Sequence, residues 1–212
     1  MATQISQPEP ITDRYQDAAL AALADAGGIA HTTDLAKLGV RHTALTALWR
    51  QGRLIRLKAG LYQLPESMPT QHAALVQAAY AVPNGVICLV SALDFYGLTD
   101  ANPEAVWIAV RMGGWTPRVS EPPIQLVHFR PRLYELGSTT EDVDGHTIRI
   151  YSREKTLCDC VRLPELVGRD VALGALRRYL RSPGSNVTRL LAIANECRIG
   201  RRMTPYVEAL VA

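Results

Sequence analysis

Residues 28–65 read GIAHTTDLAKLGVRHTALTALWRQGRLIRLKAGLYQLP, and this stretch decides the fold of the first part of the chain. Ile29-Ala30-His31 is too short for a helix and is expected as a small strand. Thr32 or Thr33 can cap a following helix whose first turn carries Asp34, where a carboxylate suits the positive helix end. That helix ends at Gly39. After a short turn a further helix shows Leu45, Leu48 and Trp49 at i, i+3 and i+4, an apolar face expected to dock on the helices before it. Thr43, Thr46, Ala47 and Arg50 fall on the opposite side. Residues 54–57 and 61–64 then read as two short strands joined by Lys58-Ala59-Gly60. A helix, a turn, a second helix and a hairpin, in that order, read as a winged helix-turn-helix.

Upstream, Tyr15, Ala19, Ala22, Leu23 and Ala26 recur at helical spacing over residues 13–26, and Gly27-Gly28 stops the run. Residues 1–12, with Pro8 and Pro10, read as a loose leader.

The exposed face of the last helix has the chemistry of a recognition helix. Thr43 and Thr46 offer hydroxyls, Ala47 permits close approach, and Arg50 can pair bidentately with guanine. His42 can touch DNA at the helix start. Between residues 35 and 65 the only formal charges are Lys37, Arg41, Arg50, Arg53, Arg56 and Lys58, so a duplex is expected to meet no fixed carboxylate there. Arg53, Arg56 and Lys58 sit where a wing meets phosphates, which supply affinity and register rather than sequence choice. The bland alternatives are a solvated polar face and a protein-binding winged helix.

Composition bounds the remainder. With 212 residues, 48% hydrophobic and 20% charged, the chain can bury a substantial core as one large or two modest domains. A net charge of +3 and a pI near 8.7 are too mild to name a nucleic-acid partner, so the local clustering carries that argument. No segment approaches the roughly 18 apolar residues of a membrane span, and no secretory leader is visible, so a cytoplasmic protein without a membrane partner is expected. Cysteines 88, 158, 160 and 197 and histidines 31, 42, 72, 128 and 146 match no metal-ligand spacing. Buried free thiols, no metal and no cofactor are expected.

Pro65-Glu66-Ser67-Met68-Pro69 reads as a linker between a domain over 13–65 and a second over 70–212. In the second, 71–81 reads as a helix, 86–90 as a buried apolar run, and Ser91 as the cap of a short helix that Gly97 ends. Strands follow at 106–110, 124–129 and 147–151, then helices at 153–161, 170–180, 186–197 and 206–211. The expected class is α+β: an N-terminal winged helix-turn-helix and a mixed α/β domain with a helical C-terminal part.

Gly28-Ile29, Leu48-x3-Gly52-x-Leu54, Gly60-Leu61-Tyr62, Ser91-Ala92-Leu93 with Gly97-Leu98, Pro103 before the 106–110 strand, and Arg153-Glu154-Lys155-Thr156-Leu157-Cys158-Asp159 occur in this order. In these pieces the chain resembles, over almost its whole length, the AbiEi family of antitoxins and autoregulators of type IV toxin–antitoxin pairs. The resemblance implies an N-terminal domain that binds its own promoter and represses its operon. It also implies a C-terminal domain that counteracts a cognate nucleotidyltransferase-like toxin, with or without a direct complex. The rival reading is a winged-helix regulator whose second domain senses a small molecule.

Two clusters in the second domain invite sharper readings. Arg153, Glu154, Lys155 and Asp159 contain the residue types of a metal-dependent nuclease, but Glu154 and Lys155 are adjacent and open a helix, so helix-end charge and ion pairing is the preferred account. No catalytic residue is assigned and no enzyme is expected. Arg177, Arg178 and Arg181 near one helix end, and Arg198, Arg201 and Arg202 near another, form a basic surface. It reads either as cations at helix C-termini or as a contact surface for DNA, RNA or an acidic partner.

Overall fold

The structure, a computed structural model, describes residues 11–67, 70–114, 119 and 121–211. The chain divides into two compact units, Met1–Ala73 and Ala74–Ala212. Of the expected leader, residues 1–10 lie outside the described residues, and residues 11 and 12 already belong to the first helix.

The first unit runs α1 (Ile11–Asp25), β1 (Ile29–His31), α2 (Thr32–Lys37), α3 (His42–Arg50), β2 (Ile55–Lys58) and β3 (Leu61–Gln63). β3 lies between β1 and β2, antiparallel to both. The pairing slips between Arg56 and Lys58, a bulge that increases the local twist of the wing. The wing is short, and the Thr32 amide donates to the Gly60 carbonyl at 2.9 Å, which ties the hairpin tip to the start of α2. Ala19, Leu23, Leu35, Ala44, Leu45, Leu48, Leu54 and Tyr62 form one buried cluster. Each buried leucine contributes about 1.5–3 kcal/mol relative to exposure, so the stripe on α3 suffices to seat it.

Two local expectations are corrected. Neither Thr32 nor Thr33 caps α2: its N-cap is His31, without a side-chain cap hydrogen bond, because β1 runs straight into the helix. Trp49 does not dock inward with Leu45 and Leu48. It is 39% exposed, because the buried face runs through Ala44, Leu45 and Leu48 and leaves Trp49 at its edge.

Gly28 shows why glycine stands where β1 begins. Its φ is +87°, and a Cβ there would lie 2.0 Å from the Ser67 Cβ. Ser67 in turn donates from its hydroxyl to the Leu64 carbonyl at 2.8 Å, and the Leu64 amide donates to the Gly28 carbonyl at 2.8 Å. Gly28→Ala should therefore cost about 2 kcal/mol or more in urea denaturation, from left-handed backbone and overlap together. Adding Ser67→Gly should recover only the overlap part, and full recovery would show that the backbone strain is absent.

The second unit contains α4 (Ala73–Ala81), β4 (Val86–Ile87), α5 (Leu89–Phe95), β5 (Val106–Arg111), β6 (Ile124–Phe129), α6 (Pro131–Glu135), β7 (Ser138–Val143) and β8 (His146–Tyr151). There follow α7 (Arg153–Arg162), α8 (Pro164–Val167), α9 (Arg169–Arg181), α10 (Val187–Glu196) and α11 (Gly200–Val211). The sheet order is β6-β5-β4-β8-β7, with β5/β6 and β4/β8 parallel and β4/β5 and β7/β8 antiparallel. It is a mixed α/β unit with a helical C-terminal part.

Ser91 is not a cap. The helix begins two residues earlier, after Cys88, and the buried Ser91 hydroxyl accepts from the Trp107 amide at 2.9 Å, joining α5 to the sheet. α11 starts at Gly200, six residues ahead of the expected 206, and carries Pro205 inside it. α7 is the hub: Glu154 through Val161 are all buried, and it packs on α5, α9 and α10. Ser152 caps it by accepting from the Lys155 amide at 3.3 Å.

Candidate nucleic-acid interface

α3 is two-faced by sequence, and the structure keeps it so. Ala44, Leu45 and Leu48 are buried toward α1, Thr43 and Arg50 are exposed, and Thr46 and Ala47 are half-buried. Arg50 has no acidic partner among the described residues, so its full fork of donors is available. Thr46 is less free than the sequence implies. Its hydroxyl donates to the His42 carbonyl one turn back at 3.0 Å, and its oxygen lies 3.5 Å from His42 Nδ1. With its proton engaged, Thr46 is left to accept, which suits an adenine or cytosine amino group.

The flanking cations are held rather than loose. The Arg41 guanidinium lies 4.1 Å from the centre of the Tyr15 ring on α1. The Arg56 guanidinium on β2 lies 5.1 Å from the Trp49 ring. Such contacts contribute about 0.5–1 kcal/mol at exposed sites, enough to restrict long side chains. Tyr15 and Trp49 are thus positioning residues that sequence reasoning had placed in the core. The signal was their place at the edge of their helical stripes rather than at the centre.

The expectation of a carboxylate-free face is corrected. Asp17 on α1 lies 4.0 Å from Arg53, and Asp34 pairs with Lys37 at 2.8 Å. Both acids precede the basic window in sequence, and folding brings Asp17 beside it. Lys37 holds the Asp34 carboxyl below its usual range. Lys58 is half-buried, and that burial pushes its ammonium pKa down.

In the second unit the six arginines do not share one environment. Arg177 and Arg181 are exposed on α9, while Arg178 donates to Asp100 at 3.0 Å and to the Gly97 carbonyl at 3.4 Å. Arg178 thereby holds the Asp100 carboxyl low. Arg201 and Arg202 lie at the start of α11, not at a C-terminus, so the helix dipole does not favour them. Arg202 is instead satisfied by the Val161 carbonyl at 3.2 Å. Arg198 follows α10 with a left-handed backbone, φ +59°.

The Arg153–Asp159 cluster does open α7 with Glu154 in its first turn and does form ion pairs, but it is buried rather than solvated. Lys155 and Asp159 are both 0% exposed and paired to each other, with the Lys155 ammonium 4.1 Å from the Tyr151 ring centre. Asp159 also accepts from Arg162 at 2.8 and 3.2 Å. Glu154 accepts from the Tyr179 hydroxyl at 2.8 Å, and burial, helped by that bond, pushes the phenol up to about 12. This segment, one of those that carried the family resemblance, is therefore the ionic pin of the core.

All four cysteines are free and buried. Burial pushes the Cys88 and Cys160 thiols up, and the Cys158 thiol donates to the Leu190 carbonyl at 3.8 Å. Among the described residues no three His, Cys, Asp or Glu gather as a metal site, and no helix is long and apolar enough to cross a membrane.

Three helices, a strand between the first two and a hairpin after the third define the first unit as a winged helix-turn-helix, here joined to a mixed α/β unit. Residues 17–65 match the model of the family described as transcriptional regulator, AbiEi antitoxin, so the first unit is similar to the winged helix of that family. No curated protein matches the chain. Among solved structures, the crystal structure of the RV2827C protein from Mycobacterium tuberculosis is similar at a TM-score of 0.54 and 16% identity, covering 92% of this chain and 81% of that one. At that identity the likeness is one of fold.

Proposed function

We propose that this protein is a DNA-binding autorepressor of its own operon and the antitoxin of a type IV pair, acting in the cytoplasm against a cognate nucleotidyltransferase-like toxin. One observation carries the DNA half of this reading: α3 presents Arg50, with no acidic partner among the described residues, on a face with Thr43 and Thr46. Arg41, His42, Arg53, Arg56 and Lys58 flank that face and supply phosphate contacts that set register. The antitoxin half is supported by the family match of the first unit.

The test is co-expression with the product of the neighbouring reading frame. A fragment of residues 70–212 is expected to stay folded and to rescue growth, while a fragment of residues 1–67 binds promoter DNA weakly and rescues nothing. Changing Arg177, Arg178 and Arg181 together in the full chain tests whether that basic surface meets the toxin. Rescue that follows the winged helix alone would sink the assignment of antitoxicity to the second unit.

A further inference from the structure

The second unit holds a cavity of about 490 Å³ lined by four separated stretches of chain. His128 and Phe129 of β6 lead into Arg130 and α6, Arg162 closes α7, and Glu196, Cys197 and Arg198 end α10. Four arginines are among the lining residues: Arg130, Arg132, Arg162 and Arg198. Among the described residues the one carboxylate on the lining is Glu196, which pairs with Arg132 at 3.5 Å. Behind the wall, Asp159 serves both Lys155 and Arg162. Of the four lining arginines, Arg132 and Arg162 thus have carboxylate partners, and Arg130 and Arg198 have none among the described residues.

The arginines are also arranged, not merely present. Arg162 is only 21% exposed, gripped through two nitrogens by Asp159 and set 4.9 Å from the Phe129 ring centre, so it enters the cavity in a fixed pose. Arg130 and Arg198 have no acidic partner among the described residues. Arg198 occupies a left-handed helix-ending position where glycine fits best, and the Ile199 amide closes the turn on the Ala194 carbonyl at 2.9 Å. Met112 and Leu133 add an apolar wall.

We propose that this cavity binds a small phosphorylated ligand carrying at least two negative charges, of the size of a nucleoside diphosphate. Planar guanidinium forks match phosphate oxygens bidentately, and the volume falls within the roughly 300–1,000 Å³ of small-molecule sites. A concave pocket of that size favours a compact anion over the backbone of a nucleic acid or the face of a protein. The site is independent of the DNA reading of the first unit.

The experiment titrates the full chain with a fluorescent mant-ADP probe, competed by ADP, inorganic pyrophosphate or adenosine. Saturable binding displaced by ADP and pyrophosphate, but not by adenosine, is expected. Arg130→Ala with Arg198→Gly should weaken it at least about tenfold. Arg198→Gly alone should keep or raise the melting temperature, because glycine relieves the left-handed backbone, so lost binding there cannot be blamed on unfolding. Three results would overturn the proposal: no probe binding at millimolar concentration, displacement by adenosine alone, or wild-type binding by the double variant. Capture of single-stranded RNA or of the neighbouring gene product through Arg130 and Arg198, without probe binding, would likewise overturn it in favour of a macromolecular partner.

Discussion

Replacing Asp159 with alanine is expected to destabilise the second unit by about 3–5 kcal/mol. Lys155 is fully buried, and its ammonium is neutralised by Asp159 with the Tyr151 and Phe129 rings beside it. Removing the carboxylate leaves that charge without a counterion, and it frees Arg162 at the same time. Asp159→Asn should be nearly as damaging, since it keeps the shape and loses the charge. Lys155→Met in the Asp159→Asn background should recover much of the loss, because a neutral pair needs no compensation. Urea denaturation followed by circular dichroism reads the effect. A loss below about 1 kcal/mol for Asp159→Ala would show that Lys155 finds another route to neutrality.

Gly137 reinforces the same point. Its φ is +68°, and a Cβ there would come within 2.6 Å of the Lys155 Cβ, so the turn between α6 and β7 is built around the buried lysine.

The second large effect concerns DNA. As a consequence of the proposed function, Arg50→Ala should weaken binding to the native promoter by about 1–3 kcal/mol while changing binding to random duplex less, because a bidentate base contact is lost. Arg56→Ala should weaken both about equally and lower the salt slope by about 1, since it acts on phosphates and is poised by Trp49 rather than by a base. Filter binding or anisotropy over a salt series separates the two. Unchanged promoter affinity when Arg41, Arg50, Arg53 and Lys58 are all replaced would remove the DNA assignment.

The elements that were legible in the chain are those whose own residues enforce them. α3 shows its leucines at helical spacing, β5 and β8 are dense in β-branched and apolar residues, and Gly97 ends α5 with φ +64°. β7 was missed because Ser138–Val143 is a polar edge strand, STTEDV, whose stability comes from pairing with β8 rather than from an apolar pattern. α6 and α8 were missed because each is a single turn opening on a proline. The early start of α11 was hidden by Pro205, which usually marks a first helical turn and here sits inside one.

By itself the sequence determined the two-faced helix α3, the hairpin after it and the concentration of arginine around both, because helical period and turn chemistry are local properties. Only the tertiary structure decided that Asp17 reaches Arg53, that Trp49 and Tyr15 steady arginines, and that Ser91 accepts from the sheet. The same holds for Glu154, Lys155 and Asp159, which on a lone helix are surface charges. They became a buried pin because β8, α9 and α10 close over α7, and Arg130, Arg162 and Arg198 became one cavity because three distant segments end beside one another. Burial and long-range juxtaposition depend on how the elements pack, and no window of sequence contains that information.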